Sequence, residues 1–274
     1  MPALRPMNMS DLVKVIKIIE AHDEDDGEAA EKDYLDSGVE NQFVLERDGK
    51  IIGVTGYREV SGTDQTAWLT WTYLDEAHHG KGYGKSMVSD LLDKLRNLNA
   101  RKIFTKVSDY EDPEDGKIYE RALKMYQSLG FEQEVVSHDF YDEDEDQIIL
   151  GLPLREEDST FSEEESNVAE EKPIIRFDGL YEIAETEGAY SFSWVVKNKK
   201  TLFGKRCFTV EDLKIGLESV KSSGGRKTFL TFPSNLPLIH NPLQAAGFKY
   251  VGRLENYYEQ GVHEFHFSHD LNNL

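Results

Sequence analysis

The chain has 274 residues, 39% of them hydrophobic and 11% aromatic, which is apolar material enough for packed cores and more length than one core of roughly 150 residues fills. No apolar run reaches the ~18 residues of a membrane span, the opening "MPALRPMNMSDL" lacks the apolar segment of a secretory leader, and Cys207 is the single cysteine. These features exclude a disulfide framework and predict a cytoplasmic protein without membrane contact. The formal net charge is −21 and is unevenly placed: residues 1–154 hold 17 Lys/Arg against 33 Asp/Glu, residues 155–172 hold 2 against 8, and residues 173–274 hold 12 against 11. Such a surface repels nucleic-acid phosphates and draws in cationic amines, although a surface that is simply solvated accounts for the same charge.

In chain order, "LRPM" reads as a short strand. Leu12, Val13, Ile16 and Ile19 then repeat at helical spacing behind the candidate caps Asn8 and Ser10. A weaker helical stretch covers Glu28 to Asp36. Two extended runs meet at Asp48-Gly49, a hairpin signal, and a third, "TAWLTWTYL", completes three antiparallel strands. "HHGKGYGKS", His78 to Ser86, follows, and Val88, Leu91, Leu92 and Leu95 place an amphipathic helix behind it. "KIFTKVS" is a strand, Ile118, Ala122, Met125 and Leu129 mark a helix closed by Gly130, and "EQEVVSHDFY" with "QIILGL" forms a last hairpin. The predicted order is β-α-α-β-β-β-α-β-α-β-β.

A glycine loop between a strand and a helix suits an anion, because glycines let backbone N–H groups approach phosphates and the helix start adds unpaired donors. Two phosphate motifs fail here. In a P-loop reading His79 occupies the required glycine position, and Gly80, Gly82 and Gly84 give Gly-x-Gly-x-Gly where a dinucleotide fingerprint needs Gly-x-Gly-x-x-Gly in a parallel unit. A tight strand-to-helix connection with no ligand is the plain alternative.

The stretch "LDEAHHGKGYGKSMVSDLL" resembles the signature of the GNAT superfamily of N-acetyltransferases, Arg/Gln-x-x-Gly-x-Gly/Ala, with His79 in the first position. "ALKMYQSLGF", Ala122 to Phe131, resembles that family's later motif, at the expected distance and in the expected order. The resemblance implies an α+β, α/β/α-layered fold, a mixed, mostly antiparallel sheet with a V-shaped splay between strands 4 and 5, and acetyl-CoA as cosubstrate without a metal. It implies that His79, Gly80, Lys81, Gly82, Tyr83, Gly84 and Lys85 hold the pyrophosphate. The Leu74 backbone N–H would polarise the thioester carbonyl, and Tyr126 would be the general acid for the thiolate, a position that a core tyrosine also fits. No base is assigned: Glu46, Glu59, Asp64 and Asp75 are nearby options, and Tyr119 stands where the family carries an asparagine.

An internal repeat sets the domain organisation. Arg101-Lys102-x-Phe104 recurs as Arg226-Lys227-x-Phe229, and Gly130-Phe131 recurs as Gly247-Phe248. The predicted domains are 1–154, an acidic linker at 155–172, and a smaller α+β unit at 173–274. That last unit reads as a degenerate GNAT-like copy, in which Gly204 to Thr209 face the glycine loop and Leu243 faces Tyr126. His263, His266 and His269 do not share a strand face, and "DEDEDQ", Asp142 to Gln147, reads as a hairpin turn rather than a calcium loop. The expected activity is acetyl transfer from acetyl-CoA to a primary amine, small or on a protein, with no nucleic acid and no membrane partner; a homodimer is compatible with it. The alternative is a non-catalytic acyl-CoA-binding or regulatory module.

Overall fold

The computed structural model describes residues 2–111, 116–155, 174–197, 207–236 and 239–271. Two compact units emerge, Met1–Gln133 with Ile149–Glu156, and Glu134–Ile148 with Glu157–Leu274. The acidic stretch 156–172 and the segment Gly204 to Arg206 lie outside the described residues.

In the first unit, β1 (Ala3–Pro6) pairs antiparallel with β2 (Gln42–Arg47), and β2 with β3 (Lys50–Glu59). The β2–β3 turn carries φ of 52° at Asp48 and 75° at Gly49, as the Asp-Gly pair anticipates. Helix α1 (Leu12–Glu20) buries Leu12, Val15, Ile16 and Ile19 against Ala30 and Tyr34 of α2 and against Val44 and Val54 of the sheet. Helix α2 spans Glu24–Ser37, four residues earlier than the apolar pattern suggests, because the Asp23 side chain accepts from the Asp25 and Asp26 N–H groups and starts it.

The run "TAWLTWTYL" is divided in two, and this division makes the site. β4 (Thr66–Leu69) pairs antiparallel with β3 and parallel with β6 (Lys102–Ser108), while β5 (Tyr73–Leu74) pairs with β3. The Thr70 N–H donates to the Gly56 carbonyl, whereas the Thr72 hydroxyl meets Thr55, the next residue of β3. Trp71 is therefore one extra residue, a β-bulge. The β4–β6 ladder covers Thr66 to Trp68 against Lys102 to Phe104, so β5 continues along β3 while β6 runs on to Ser108. This divergence is the splay. Helix α3 (Tyr83–Asn97) follows β5, α4 (Glu120–Ser128) follows β6, and β7 (Glu132–Asp142) and β8 (Glu145–Pro153) complete the sheet in the order β1-β2-β3-β4-β6-β8-β7. The run from Asp142 to Gln147 is the β7–β8 turn, with Asp144 at φ 63°.

The second unit holds β9 (Ile174–Glu182), β10 (Ala189–Lys197), α5 (Val210–Ser222), β11 (Lys227–Pro233), α6 (His240–Ala245), β12 (Lys249–Glu259) and β13 (Val262–Asp270). Its sheet order, β12-β13-β11-β10-β9, reproduces β7-β8-β6-β4-β3 element for element. The parallel junction starts in the same way in both: Thr66 faces Lys102 and Ala189 faces Lys227. The Arg101 N–H donates to Gln65, the Arg226 N–H to Gly188, and the Phe131 and Phe248 N–H groups to Tyr126 and Leu243. Its core joins Phe192, Leu213, Leu217, Leu230, Phe232 and Leu243. On β13 the three histidines have separate surroundings: His263 Nδ1 accepts from the Asn256 N–H, His266 meets Glu264, and His269 packs edge-on against Phe248.

Candidate active site

Helix α3 begins on Gly82, in the left-handed region at φ 79°, with Gly80 at φ 70° two residues before it. A side chain at either glycine would meet no atom within 4 Å, so it is backbone conformation and not crowding that favours glycine there. The helix start has no side-chain cap and no acidic residue in its first turn. Its first N–H groups are left without intrahelical partners and carry the positive end of the helix dipole, which fits a pyrophosphate. Helix α5 is the opposite case: Thr209 caps it reciprocally with Asp212, and Glu211 and Asp212 stand in its first turn.

Of the residues predicted for this loop, only some face outward. Lys81 Nζ donates to the Ala77 carbonyl, and Lys85 Nζ reaches the Ser128 carbonyl at 3.3 Å; both lysines are exposed. The Tyr83 hydroxyl accepts from Arg47 Nη1 at 2.7 Å, with the guanidinium 5.3 Å from the ring centre. Gly84 lies where a Cβ would stand 3.5 Å from Met125 Sδ and 4.0 Å from Leu74 Cδ2, so the loop, the end of β5 and α4 converge. His79 turns back: its Nε2 donates to the Leu74 carbonyl at 2.8 Å.

Leu74 is placed by the ladder. The Asp75 N–H donates to the Ile52 carbonyl, which makes Gly53 and Leu74 the adjacent pair that exchanges no hydrogen bonds. Both the N–H and the C=O of Leu74 therefore point away from β3, toward the splay. Gly53 makes room for this: a Cβ there would lie 3.0 Å from the Tyr73 carbonyl oxygen and 3.1 Å from Leu74 Cδ1 and Met87 Sδ.

Tyr126 is buried, at 4% exposure, and its hydroxyl neighbours Thr105 of β6 and Thr72 beside the bulge, one on each arm of the splay. Burial raises its pKa, and the two threonine hydroxyls oppose that rise only in part, so the phenol holds its proton at neutral pH.

A second group of side chains gathers at the same end of β5, and no motif announced it. The Tyr73 and Tyr119 hydroxyls both donate to Asp26 Oδ2, and Tyr119 also to Asp23 Oδ2. Burial first, then the Asp26 charge, pushes both tyrosine pKa values up. His22 Nε2 donates to the Leu74 carbonyl at 2.8 Å, and its ring stacks on His79 at 5.1 Å and tilts against Tyr73 at 5.5 Å. These contacts join residues 52 and 93 positions apart, and no local spacing encodes them. The carboxylates considered from the sequence are engaged otherwise: Glu46 pairs with Arg5, Asp64 with Arg101, and Asp75 accepts from the Ala77 N–H, while Glu59 ends β3. Among the described residues no group of three His, Cys, Asp or Glu is arranged to hold a metal ion.

Comparison with known proteins agrees with this architecture. Residues 9–131 match the family described as Acetyltransferase (GNAT) family. A Desulfovibrio desulfuricans protein assigned to the GNAT family superposes with a TM-score of 0.50 at 20% identity, covering 57% of this chain and all of that one. The ribosomal-protein-S18-alanine N-acetyltransferase of Escherichia coli gives 0.47 at 22% identity, over 59% of this chain and 99% of its own. No curated protein matches the sequence. The uncapped glycine helix start, the splayed sheet and the tyrosine between its arms thus all lie in the part of the chain, residues 9–131, that is similar to the GNAT acetyltransferase family.

Proposed function

We propose that the first unit transfers an acetyl group from acetyl-CoA to a primary amine. The observation that carries this reading is the convergence of three parts: the open α3 start behind Gly80 and Gly82, the outward Leu74 N–H, and Tyr126 between Thr72 and Thr105. Acetyl-CoA brings an activated thioester. The backbone around Gly82 to Lys85 holds its pyrophosphate, the Leu74 N–H donates to the thioester oxygen, and Tyr126 gives the departing sulfur its proton. Carboxylates at Asp23 and Asp26 favour a cationic acceptor such as a polyamine, an aminoglycoside, a lysine side chain or a protein N-terminus. The second unit is read as a copy of the same fold without the chemistry, since Leu243 stands where Tyr126 does and α5 caps itself.

The test is acetyl-CoA-dependent thiol release against a panel of such amines, with acetyl-CoA binding followed by titration calorimetry. Amine-dependent release supports the transferase. Saturable binding with no amine consumed would favour a binding module, and no binding would remove both.

A further inference from the structure

We propose that His22 is the general base of this transfer; the assignment rests on the acyltransferase reading above. The Leu74 carbonyl accepts from the Nε2 atoms of both His22 and His79, each at 2.8 Å. A carbonyl has no proton to give, so each Nε2 carries one, and in a neutral imidazole Nδ1 is then the bare, basic nitrogen. Among the described residues neither Nδ1 has a hydrogen-bond partner. Unlike the buried Nδ1 of His78, they belong to rings that are only half-buried.

Position selects what this basic nitrogen is for. The N–H and C=O of one residue in a strand leave on the same side, so the imidazole on the Leu74 carbonyl stands about one residue's rise, ~3.4 Å, along the edge from the N–H assigned to the thioester. His22, at the turn between α1 and α2, is the member of the pair beside the carboxylates. Asp23 follows it, Tyr73 of β5 lies against its ring, and Tyr73 and Tyr119 both anchor Asp26. His79 belongs to the glycine loop and stacks on His22, which fixes the shared carbonyl.

An ammonium group drawn to Asp23 and Asp26 has no lone pair until it sheds a proton. His22 Nδ1 takes that proton, and the freed lone pair forms the C–N bond at the thioester carbon. The C–S bond breaks with its electron pair on sulfur, the Tyr126 hydroxyl protonates the sulfur, and the proton leaving the new amide nitrogen restores Tyr126. His22 returns its proton to solvent, and the imidazolium it forms meanwhile stands beside two carboxylates.

The experiment compares the full-length wild type with His22→Gln and His22→Ala. Glutamine keeps an N–H donor for the Leu74 carbonyl but has no basic nitrogen. The expected result is acetyl-CoA affinity for His22→Gln within about twofold of wild type, with amine-dependent thiol release lower by roughly 100-fold or more. Wild-type turnover in His22→Gln would reduce His22 to a positioning residue and overturn the proposal. Long-range ¹H–¹⁵N spectra of the wild type read the tautomer without any acceptor amine. Nε2–H at His22 is expected, and Nδ1–H would overturn the proposal even where no amine in the panel is consumed. Failure of the wild type to bind acetyl-CoA is a different result, because it removes the acyltransferase reading itself.

Discussion

The buried hydroxyl of Tyr126 on α4 lies beside that of Thr105 on β6, and Thr72 neighbours it from the opposite arm of the splay. Thr72 in turn donates to the Thr70 carbonyl and meets Thr55, so threonine hydroxyls line the arm that faces the phenol. Replacing it with phenylalanine preserves the ring's edge-on contact with Phe131 and removes only the proton donor. Tyr126→Phe is expected to lower kcat by about 10²-fold or more, at a stability cost of no more than about 1 kcal/mol from the lost hydroxyl. Thiol-release kinetics and urea unfolding check the two parts; unchanged kcat would end the acid role.

At Gly82 the backbone is left-handed but open space surrounds the α-carbon. Asparagine and aspartate both tolerate that conformation, and they differ by one charge. Gly82→Asp is expected to weaken acetyl-CoA binding at least about 10-fold more than Gly82→Asn, a difference of ~1.4 kcal/mol, with the backbone strain common to both. Equal affinities would mean that no anion sits at this helix start.

Gly53 presents a different constraint. A methyl group there presses on the Tyr73 carbonyl, Leu74 and Met87 at 3.0–3.1 Å, and the strand end must shift by a few tenths of an ångström. Gly53→Ala should therefore lower kcat/KM by about an order of magnitude with a modest loss of stability, since small displacements at a reacting group are costly. A variant that loses stability but keeps kcat/KM would show that Leu74 need not be held so closely.

In the second unit, which includes Glu134–Ile148, Lys227 Nζ, 7% exposed, lies 3.0 Å from Asp139 and 2.9 Å from Asp270. The hydrogen bond from Lys227 depresses the Asp139 pKa; at Asp270 burial pushes upward, but Lys227 and Lys249 outweigh it. Groups with depressed folded values stabilise fully above the unfolded value of about 3.9, and that contribution is lost as pH falls through the folded values. Lys227→Met is expected to destabilise by roughly 1–2 kcal/mol at pH 7, with the gap to wild type narrowing toward pH 3. Thermal melts across that range measure it, and a gap independent of pH would assign the loss to packing alone.

Much of the first unit was legible because its signals are local. Asp48-Gly49 specifies its own turn, the apolar spacing in α1 and α3 specifies buried faces, and Gly80 and Gly82 specify a conformation. The early start of α2 was missed because Asp23 acts through a cap and not through an apolar repeat. The bulge at Trp71 was missed for another reason: "TAWLTWTYL" is uniformly strand-forming, and the extra residue shows only against the register of β3. The places of His22 and Asp26 at the end of β5 were invisible, since the partners that reveal them, Leu74 and Tyr119, come from distant elements.

The uncapped start of α3 also bears on folding. A helix end lacking its own acceptor is a place where ligand concentration enters the stability of the fold. Anything that binds there in the native state and not in the unfolded chain adds ~2.7 kcal/mol at a hundredfold excess over Kd. The first unit's melting temperature is then a gauge of how much anionic ligand its surroundings contain. Helix α5, completed by Thr209 and Asp212 from within its own sequence, offers no such dependence.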